Sequence, residues 1–382
     1  MNKIILKKSY KFQLVIIFLF LIFNISQKNQ KYNVKELILL KGRKYLNKCL
    51  IGKILINKKF YTNFINPEIT IVVPIYNCQN SIKQVLRSIQ NQKMREIEIL
   101  LINDQSKDNS LKIIEDIQKD DKRIKIISNK KNMGILYSKS IGVLQARGKY
   151  ILPLDNDDMF FDDDVFDYVF KEAETYNCDI VGFKALQAYS YNASIKEMED
   201  GCHMHNSNFT IYKPNLGLFG ISQNGKFKIS EVHIWSKCIK SQIYKKAVNL
   251  LGNRYFYLVN WAEDTSMVFL LFNIASSYKY VTKYGIFRYN RKNSASESMP
   301  NSNKLFGEIF FLDIIYDFTE NNFKSKKFAV YKAFNIRDGI YFKSLNKDSI
   351  FYLKIVLKKM LSCKYISQQD KINIKIKFKA FI

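Results

Sequence analysis

Short apolar runs alternate with helix-like segments along the chain from residue 69 onward. The first run, residues 69–73, is β-branched and typical of a buried strand, and apolar positions at the spacing of one helix face follow it. The same rhythm continues with strands predicted at 97–102, 124–127 and 150–154 and with helices between them. Helical crossovers between short strands indicate parallel pairing. The pattern therefore predicts an α/β fold with a mostly parallel sheet flanked by helices.

Both ends of the chain depart from this pattern. Residues 12–25 are apolar except for Gln13 and Asn24, and four lysines precede them. A run of this length suits either a signal-peptide core or a short membrane anchor. No small-residue cleavage pattern follows Ile25, which favours an uncleaved anchor, whereas basic residues on both sides leave its orientation open.

The sequence divides into four predicted regions. Residues 1–26 form a basic tip with the membrane anchor or signal peptide, 27–66 a basic stem, 67–300 the main folded domain, and 301–382 a basic helical extension. The extension has apolar positions at helical spacing next to lysines. Its helices are therefore expected to pack on the main domain or to lie on an anionic membrane surface.

The formal charge of +27 is concentrated at the two ends. Residues 1–66 carry 14 basic residues and one acidic residue, and residues 301–382 carry 16 and seven, whereas residues 67–300 are nearly balanced with 31 and 26. A nucleic-acid binder would use the basic ends and would leave the acidic clusters of the middle without a purpose. The distribution therefore predicts no nucleic-acid partner. A dinucleotide oxidoreductase is also disfavoured, because no G-x-G-x-x-G follows the first strand.

Cysteine and histidine positions do not indicate a metal centre. The six cysteines are scattered without a C-x-x-C pair, which favours ordinary thiols over disulfides or a zinc site. His203 and His205 lie beside Cys202 in a polar stretch, where a loop is expected more than a metal site.

Polar residues follow three of the predicted strands directly. They are Pro74 to Asn77, Asn103 with Asp104, and Asp155 to Asp158. Ligands of parallel sheets bind at the carboxyl ends of the strands, so these residues are expected to share one site. Asp104 and Asp108 could instead cap the helices that follow them. The cluster from Asp155 to Asp158 is harder to explain as a cap, since carboxylates that repel one another favour a hard divalent cation or a nucleotide contact.

Four motifs occur in a fixed order within residues 69–183. They are VVPIYN at 72–77, NDQSKDNS at 103–110, the turn Asn132-Met133-Gly134, and GKYILPLDNDD at 148–158. The D-x-D alone is a weak signal, whereas the ordered set is specific. In this stretch the chain resembles family 2 glycosyltransferases of the GT-A fold. The resemblance implies an inverting, sugar-nucleotide-dependent transferase of the hexosyltransferase type.

The resemblance also implies roles for individual residues. The implied nucleotide-binding residues are Pro74, Tyr76, Asn77, Asp104, Lys139 and Asp155. Among them, Tyr76 is expected to stack on the base and Asp104 to accept a hydrogen bond from the base edge. Asp155 is expected to touch the ribose or the metal, and Asp157 to hold Mn²⁺ or Mg²⁺ at the diphosphate. Lys139-Ser140 departs from the Arg-Asn that the family usually shows, and Lys139 is expected to neutralise phosphate.

An acceptor hydroxyl that attacks the donor must lose a proton, so the reaction needs a general base. The motif Trp261-Ala262-Glu263-Asp264 precedes an apolar helical run, and the resemblance implies that Asp264 is the catalytic base with Glu263 as its neighbour. Both acids could also simply complement the dipole of that helix. Residues 288–296 resemble the segment that follows the base and are expected to close over the diphosphate or to form a basic, solvent-facing loop.

The expected partners are a nucleotide-sugar donor, with a UDP-sugar favoured, and a glycan, lipid or protein acceptor. A non-catalytic relative that binds a glycan or nucleotide is the alternative, and the intact acids at 155, 157 and 264 disfavour it. Two glycosylation sequons, at Asn192 and Asn208, suit a single-pass membrane protein with its catalytic domain in the ER or Golgi lumen. A catalytic domain on the cytoplasmic face stays open as well.

Overall fold

The computed structural model divides the chain into two units, residues 1–65 and 66–382. It describes residues 67–188, 199–200, 207–212, 219–221, 227–229, 233–256, 258–289, 301–318, 345, 347–363, 366–379 and 381, all in the second unit. The predicted anchor and stem, the sequon at Asn192, the His203–His205 pair and residues 290–300 lie outside the described residues. Within the described ranges, no helix is both long and apolar enough to cross a membrane.

Nine α-helices are described in these ranges. They are α1 (Ile82–Gln90), α2 (Ser110–Asp120), α3 (Ile135–Gln145), α4 (Val165–Thr175), α5 (Ser241–Leu251), α6 (Glu263–Ile274), α7 (Asn301–Asp317), α8 (Lys347–Ser362) and α9 (Gln368–Lys377). A 3₁₀-helix, Gly252–Phe256, follows α5. The predicted helices before residue 146 are all present.

Twelve strands accompany the helices in the described part of the chain. They are β1 (Ile69–Ile75), β2 (Ile97–Asn103), β3 (Ile124–Ser128), β4 (Tyr150–Pro153), β5 (Asp158–Phe160), β6 (Ile180–Ala188), β7 (Glu199–Asp200), β8 (Phe209–Tyr212), β9 (Phe219–Ile221), β10 (Phe227–Ile229), β11 (Lys237–Lys240) and β12 (Ser277–Tyr289). The main sheet has the order β3-β2-β1-β4-β11-β6-β12-β5, with β7 beside β6 and β8 beside β12. Strands β9 and β10 form a separate antiparallel pair.

The main sheet is mixed. The prediction of a mostly parallel sheet holds for β1 to β4 and for the pairing of β6 with β12, and it is wrong for β5, β7, β8 and β11. Strands β1 to β4 pair in parallel as predicted. Strand β11 then runs antiparallel to both β4 and β6, and β12 runs antiparallel to β5 and β8. The four residues of β11 begin and end with lysine, and this strand carries no apolar run. Hydrophobic periodicity therefore gave no signal for the strand that reverses the sheet.

Two apolar layers cover the two faces of the sheet. Strand β1 shows the alternation: Val72 points into the layer with α3, α5 and α6, whereas Ile71 and Val73 point into the layer with α1 and α4. Helices α7 and α8 belong to the first layer, since Leu305, Ile309 and Val356 are buried there. The predicted packing of the helical extension on the main domain is confirmed, while a membrane contact of its outer faces stays a prediction.

Four cysteines are buried free thiols, as expected: Cys78, Cys178, Cys238 and Cys363. Cys49 and Cys202 lie outside the described residues. Trp235 is also buried.

Candidate active site

The predicted strand ends meet at one edge of the parallel half of the sheet. The backbone N–H of Asp104 donates to the carbonyl oxygen of Ile75 at 2.8 Å, which ties the end of β2 to the end of β1. The Asn156 side chain donates to the carbonyl oxygen of Pro74 at 3.0 Å, which ties the segment after β4 to β1. The structure thus brings Pro74, Asp104 and the cluster that starts at Asp155 to one place, as the sequence predicts.

The loop after β1 holds Tyr76 at the surface. The Tyr76 side chain is 41% exposed, so its ring can receive a planar ligand. Asn77 adopts a left-handed backbone conformation with φ of 47°, which asparagine tolerates better than most residues. Its Oδ1 accepts the backbone N–H of Lys107 at 2.8 Å, which fixes the loop against the start of α2. The predicted nucleotide contacts of Tyr76 and Asn77 stay predictions.

Asp104 organises the turn that the N-x-G motif marks. Its carboxylate is 3% exposed and accepts three hydrogen bonds, from Met133 N at 2.8 Å, Gly134 N at 2.8 Å and Asn129 Nδ2 at 2.7 Å. Gly134 has φ of 87°, a conformation that favours glycine. The structural role of Asp104 is therefore to hold this turn in front of α3, and its contact with a base edge stays a prediction.

Asp108 lies at the start of α2. Its carboxylate accepts the backbone N–H groups of Ser110 and Gln79, both at 3.0 Å. These bonds support the helix-start interpretation of Asp108 rather than a direct role in the site.

A buried lysine is the centre of the site. Lys139 on α3 has its Nζ 3.0 Å from Asp155 Oδ1, 2.8 Å from Asp264 Oδ1 and 3.5 Å from Glu263 Oε1. Its side chain is only 5% exposed. This one cation therefore joins the acid that follows β4 to the two acids that begin α6. The sequence did not reveal this link, although a lysine inside a largely buried helix face needs a partner and is a signal for one.

Three carboxylates around one cation leave an excess of negative charge. Burial alone would lower the pKa of Lys139, but the charges of Asp155, Asp264 and Glu263 hold it well above its usual value. Burial and the nearby charge of Asp264 raise the pKa of Glu263 to about 7, with Lys139 opposing the shift. Burial also raises the pKa of Asp264, again against the effect of Lys139. The site therefore contains an acid poised near neutral pH.

Asp264 is held from two directions. In addition to Lys139, the backbone N–H of Ile234 donates to its Oδ2 at 3.4 Å. Glu263 and Asp264 form the first turn of α6, so the helix dipole favours their ionised forms, as the sequence also allows. Both acids are nevertheless largely buried beside Lys139, which distinguishes them from solvent-exposed first-turn acids.

The acids after β4 form a second crowded group. Asp158 is buried, and burial together with the charges of Asp157 and Asp155 raises its pKa well above the usual range. Asp155 and Asp157 are half-buried at the same edge. Among the described residues, no group of three or more His, Cys, Asp or Glu side chains is arranged to hold a metal ion by itself. Two carboxylates fit a cation such as Mg²⁺ that shares its remaining ligands between phosphate oxygens and water.

Arg288 and Trp235 were not predicted as a pair and lie close to this group. Arg288 on β12 stands opposite Asp158 in the strand register, and its positive charge lowers the pKa of that acid. The guanidinium carbon lies 6.0 Å from the centroid of the Trp235 ring. The position of Arg288 opposite Asp158 depends on the antiparallel pairing of β12 with β5, which the sequence did not reveal.

Comparison with known proteins identifies relatives for the first half of this domain. The sequence model of the family described as Glycosyl transferase family 2 matches residues 70–230. An uncharacterized glycosyltransferase of Haemophilus influenzae is 44% identical over 93 residues, which are 24% of this chain and 29% of the relative. The cholesterol galactosyltransferase of Borreliella burgdorferi is 26% identical over 236 residues, 61% of this chain and 63% of the relative. The chain spans 29–39% of the length of the first three relatives.

Solved structures share the fold over a longer stretch. The Staphylococcus aureus TarS fragment in complex with UDP-GlcNAc aligns with a TM-score of 0.55 and 14% identity, covering 79% of this chain and 82% of that one. At this identity the similarity concerns the fold alone. The aligned share of this chain is larger than the share that residues 70–230 make up.

Proposed function

We propose that this chain, which belongs to glycosyl transferase family 2, transfers a sugar from a nucleotide-sugar donor to an acceptor hydroxyl group with inversion at the anomeric carbon. The observation that carries the proposal is the position of Lys139. It places the acid of the D-x-D segment, Asp155, and the acids that start α6, Glu263 and Asp264, around one buried ammonium group. The groups proposed to bind the donor and to accept the proton therefore lie close together.

In this proposal Tyr76 stacks on the nucleotide base and Asp264 is the general base. Asp264 takes the proton of the acceptor hydroxyl as its oxygen attacks the sugar, and Lys139 keeps the carboxylate oriented. Glu263, with its pKa raised to about 7, gains or loses a proton next to the base near neutral pH. The geometry supports Asp264 as the positioned acid because Lys139 and Ile234 both contact it.

Asp157 and Asp155 would hold the divalent cation, Mn²⁺ or Mg²⁺, that this proposal includes. When bound, such a cation stabilises the negative charge that develops on the leaving diphosphate. The crowding of Asp155, Asp157 and Asp158 supports this assignment, since a cation would relieve their mutual repulsion.

The proposed donor is a UDP-hexose or a related UDP-sugar. The TarS structure contains UDP-GlcNAc, and another relative is the Campylobacter jejuni β-1,3-glucosyltransferase that acts on GalNAc(5)-diNAcBac-PP-undecaprenol, 36% identical over 93 residues. The names of this enzyme and the Borreliella galactosyltransferase suggest hexose transfer. The proposed acceptor is a glycan, a lipid or a protein.

The decisive experiment measures binding and turnover of a panel of nucleotide sugars by the full chain. Each donor is tested with Mn²⁺, with Mg²⁺ and with a chelator. We expect selective, cation-dependent turnover of one donor, and a loss of about 10²–10⁴-fold in kcat for Asp264→Asn, since a general base contributes this much. Asp157→Ala should abolish the cation-dependent turnover. Asp116→Asn, an exposed acid on α2, is the matched control.

Binding of a donor without turnover under every condition would favour the alternative, a non-catalytic protein that binds glycans or nucleotides. Absence of binding to any donor would remove the basis of both proposals. Full activity of Asp264→Asn would contradict the assignment of the base while leaving transfer itself in place.

We also propose that residues 1–26 anchor the protein in a membrane and that the catalytic domain faces the ER or Golgi lumen. The support is the apolar run of residues 12–25 and the sequon at Asn208, which is exposed. Extraction at alkaline pH tests the anchor, since an integral protein stays in the pellet. Protease protection in sealed vesicles tests the orientation, and digestion of the catalytic domain would indicate the cytoplasmic face.

A further inference from the structure

The turn that precedes the catalytic acids lies between two elements that the sequence does not connect. On one side, Asn260 Oδ1 accepts the backbone N–H of Ile135 at 2.9 Å, and the Val259 carbonyl oxygen accepts that of Leu136 at 3.4 Å. These bonds attach the turn to the first turn of α3. Because α3 also carries Lys139, this side belongs to the site already described.

On the other side, the turn contacts α7 of the helical extension. A Cβ atom added to Gly307 would lie 2.0 Å from the carbonyl oxygen of Trp261 and 2.7 Å from its carbonyl carbon. No real side chain tolerates such distances, so helix and turn are in backbone contact. One helical turn earlier, Lys304 Nζ lies 5.3 Å from the centroid of the Trp261 ring. Lys304 and Gly307, one turn apart on α7, therefore both contact Trp261.

The backbone after Trp261 needs such support. Ala262 adopts φ of 57°, which lies in the left-handed region. This conformation is energetically unfavourable for any residue that has a Cβ atom. Its carbonyl oxygen accepts the backbone N–H of Ser266 at 3.0 Å and the Ser266 hydroxyl at 2.8 Å, which starts α6. The next two residues are Glu263 and Asp264. A displacement of Trp261 would consequently rotate the acids that Lys139 holds.

Helix α7 is itself firmly placed. Its Asp313 is buried and accepts from Arg254 Nε at 2.9 Å, Lys359 Nζ at 2.7 Å and the Tyr352 hydroxyl at 2.5 Å. These partners come from the 3₁₀-helix of the main domain and from α8. The helix that touches Trp261 is thus anchored independently of that contact.

We propose that the helical extension is part of the catalytic apparatus, with α7 positioning the turn that carries Glu263 and Asp264, and with Gly307 as its positioning residue. The inference rests on the proposed transferase function for its activity measurement. Its structural content, control of the Trp261 backbone by α7, can be tested without activity.

The test compares Gly307→Ala with Asn303→Ala, an exposed position on the same helix. In a helix without a close neighbour, glycine to alanine stabilises. Here the added methyl group must push Trp261 away. We expect kcat to fall by about 100-fold, the cost of a misplacement of about 1 Å in a catalytic group. The KM for the donor should change less than about twofold, because Tyr76 and Asp157 follow β1 and β4, whereas α7 contacts the turn before α6. Asn303→Ala should match the wild type.

Fluorescence supplies a readout that does not depend on turnover. The protein has two tryptophans, so Trp235→Phe leaves Trp261 as the reporter. Gly307→Ala in this background should shift the emission and increase the quenching of Trp261 by iodide. If Gly307→Ala does not fold, Lys304→Met provides the second variant, since it removes the cation over the ring without a steric clash and should also change Trp261 emission.

Unchanged kcat and unchanged Trp261 emission in Gly307→Ala would overturn the proposal. A lowered melting temperature with wild-type kcat in the folded protein would also overturn it, because the contact would then be only structural. If the wild type transfers no sugar, the function proposed above fails, and the Trp261 fluorescence alone then decides whether α7 controls the turn.

Discussion

Two buried ion clusters hold this domain together, and they differ in charge balance. The cluster around Lys139 has three carboxylates for one cation. The cluster around Asp313 also contains Asp317 and has two cations, Arg254 and Lys359, with Arg254 hydrogen-bonded to both acids. Both clusters join segments far apart in the sequence, yet only the first leaves negative charge uncompensated.

The difference appears in the protonation of the acids. Burial would raise the pKa of Asp313, but hydrogen bonds from Lys359 and Tyr352 and the charge of Arg254 lower it. In the Lys139 cluster, burial and the neighbouring charge of Asp264 raise the pKa of Glu263 to about 7. A balanced cluster therefore fixes structure with permanently ionised groups, whereas an acid-rich cluster can still accept a proton or a cation. This contrast supports the Lys139 cluster as the candidate functional site.

The largest effect is expected from removing the cation of the acid-rich cluster. Lys139→Met leaves Asp155, Glu263 and Asp264 facing one another without a counter-charge, and breaking a buried ion pair costs about 3–5 kcal/mol. The loss should be greater at pH 8 than at pH 5, because the acids can protonate at low pH. Denaturant unfolding at both pH values measures it.

Lys139→Arg is the matched control, since it keeps the charge and should retain most of the stability. A loss below about 1 kcal/mol for Lys139→Met at pH 8, the value typical of exposed pairs, would contradict the description of Lys139 as the organiser of the site.

The next effect concerns the balanced cluster. Asp313→Asn removes a buried carboxylate and leaves Arg254 and Lys359 with Asp317 as their shared acid. Because Lys359 is partly exposed, we expect a loss of about 2–3 kcal/mol, somewhat below that for a fully buried pair. Unfolding by denaturant at pH 7 measures the change. Glu115→Gln, an exposed acid on α2, serves as the control, and an equal loss in both variants would show that the Asp313 cluster adds no more stability than a surface acid.

The sequence predicted the strands and strand ends of the parallel half of the sheet better than it predicted the ion clusters. The first strand was predicted at 69–73 and found at Ile69–Ile75, because a β-branched apolar run and a polar strand end are local signals. The Lys139 contacts join positions 16 and 125 residues apart in sequence, and no local pattern encodes them. The phosphate contact of Lys139, which the resemblance implies, stays a prediction. Strand β11 gives no signal in the hydrophobic pattern because lysines occupy both of its ends.

The two clusters should respond to pH with opposite signs. The pKa of Glu263 rises from 4.5 to about 7 on folding, so the folded state holds this proton more tightly than the unfolded state. Its contribution to stability is present below about pH 4.5 and is lost as pH rises to about 7, by about 1.4 kcal/mol for each unit of pKa difference. The pKa of Asp313 is lowered, so its contribution is present above its ordinary pKa and is lost as pH falls.

Glu263→Gln should therefore flatten the decline in unfolding free energy between about pH 4.5 and 7, whereas Asp313→Asn should flatten only the acidic side of the curve. Chemical denaturation across pH 3–9 separates the two. A decline in Glu263→Gln identical to that of the wild type would assign the neutral-pH proton to another member of the Lys139 cluster.

The smallest effect is expected at a third cluster, which has an excess of acids but is exposed. It therefore tests whether charge excess or burial accounts for the Lys139 cluster. Lys283 Nζ lies 2.7 Å from Asp162 Oδ2 and 2.7 Å from Asp164 Oδ1, so two acids again share one cation. Both carboxylates are more than 40% exposed, and water and salt screen their charges. Lys283→Met should therefore cost less than about 1 kcal/mol, and the cost should shrink further at high salt. Unfolding at low and high salt checks this. If the loss matched that of Lys139→Met, an excess of acids alone would account for the Lys139 cluster, and its burial would no longer distinguish it as a site.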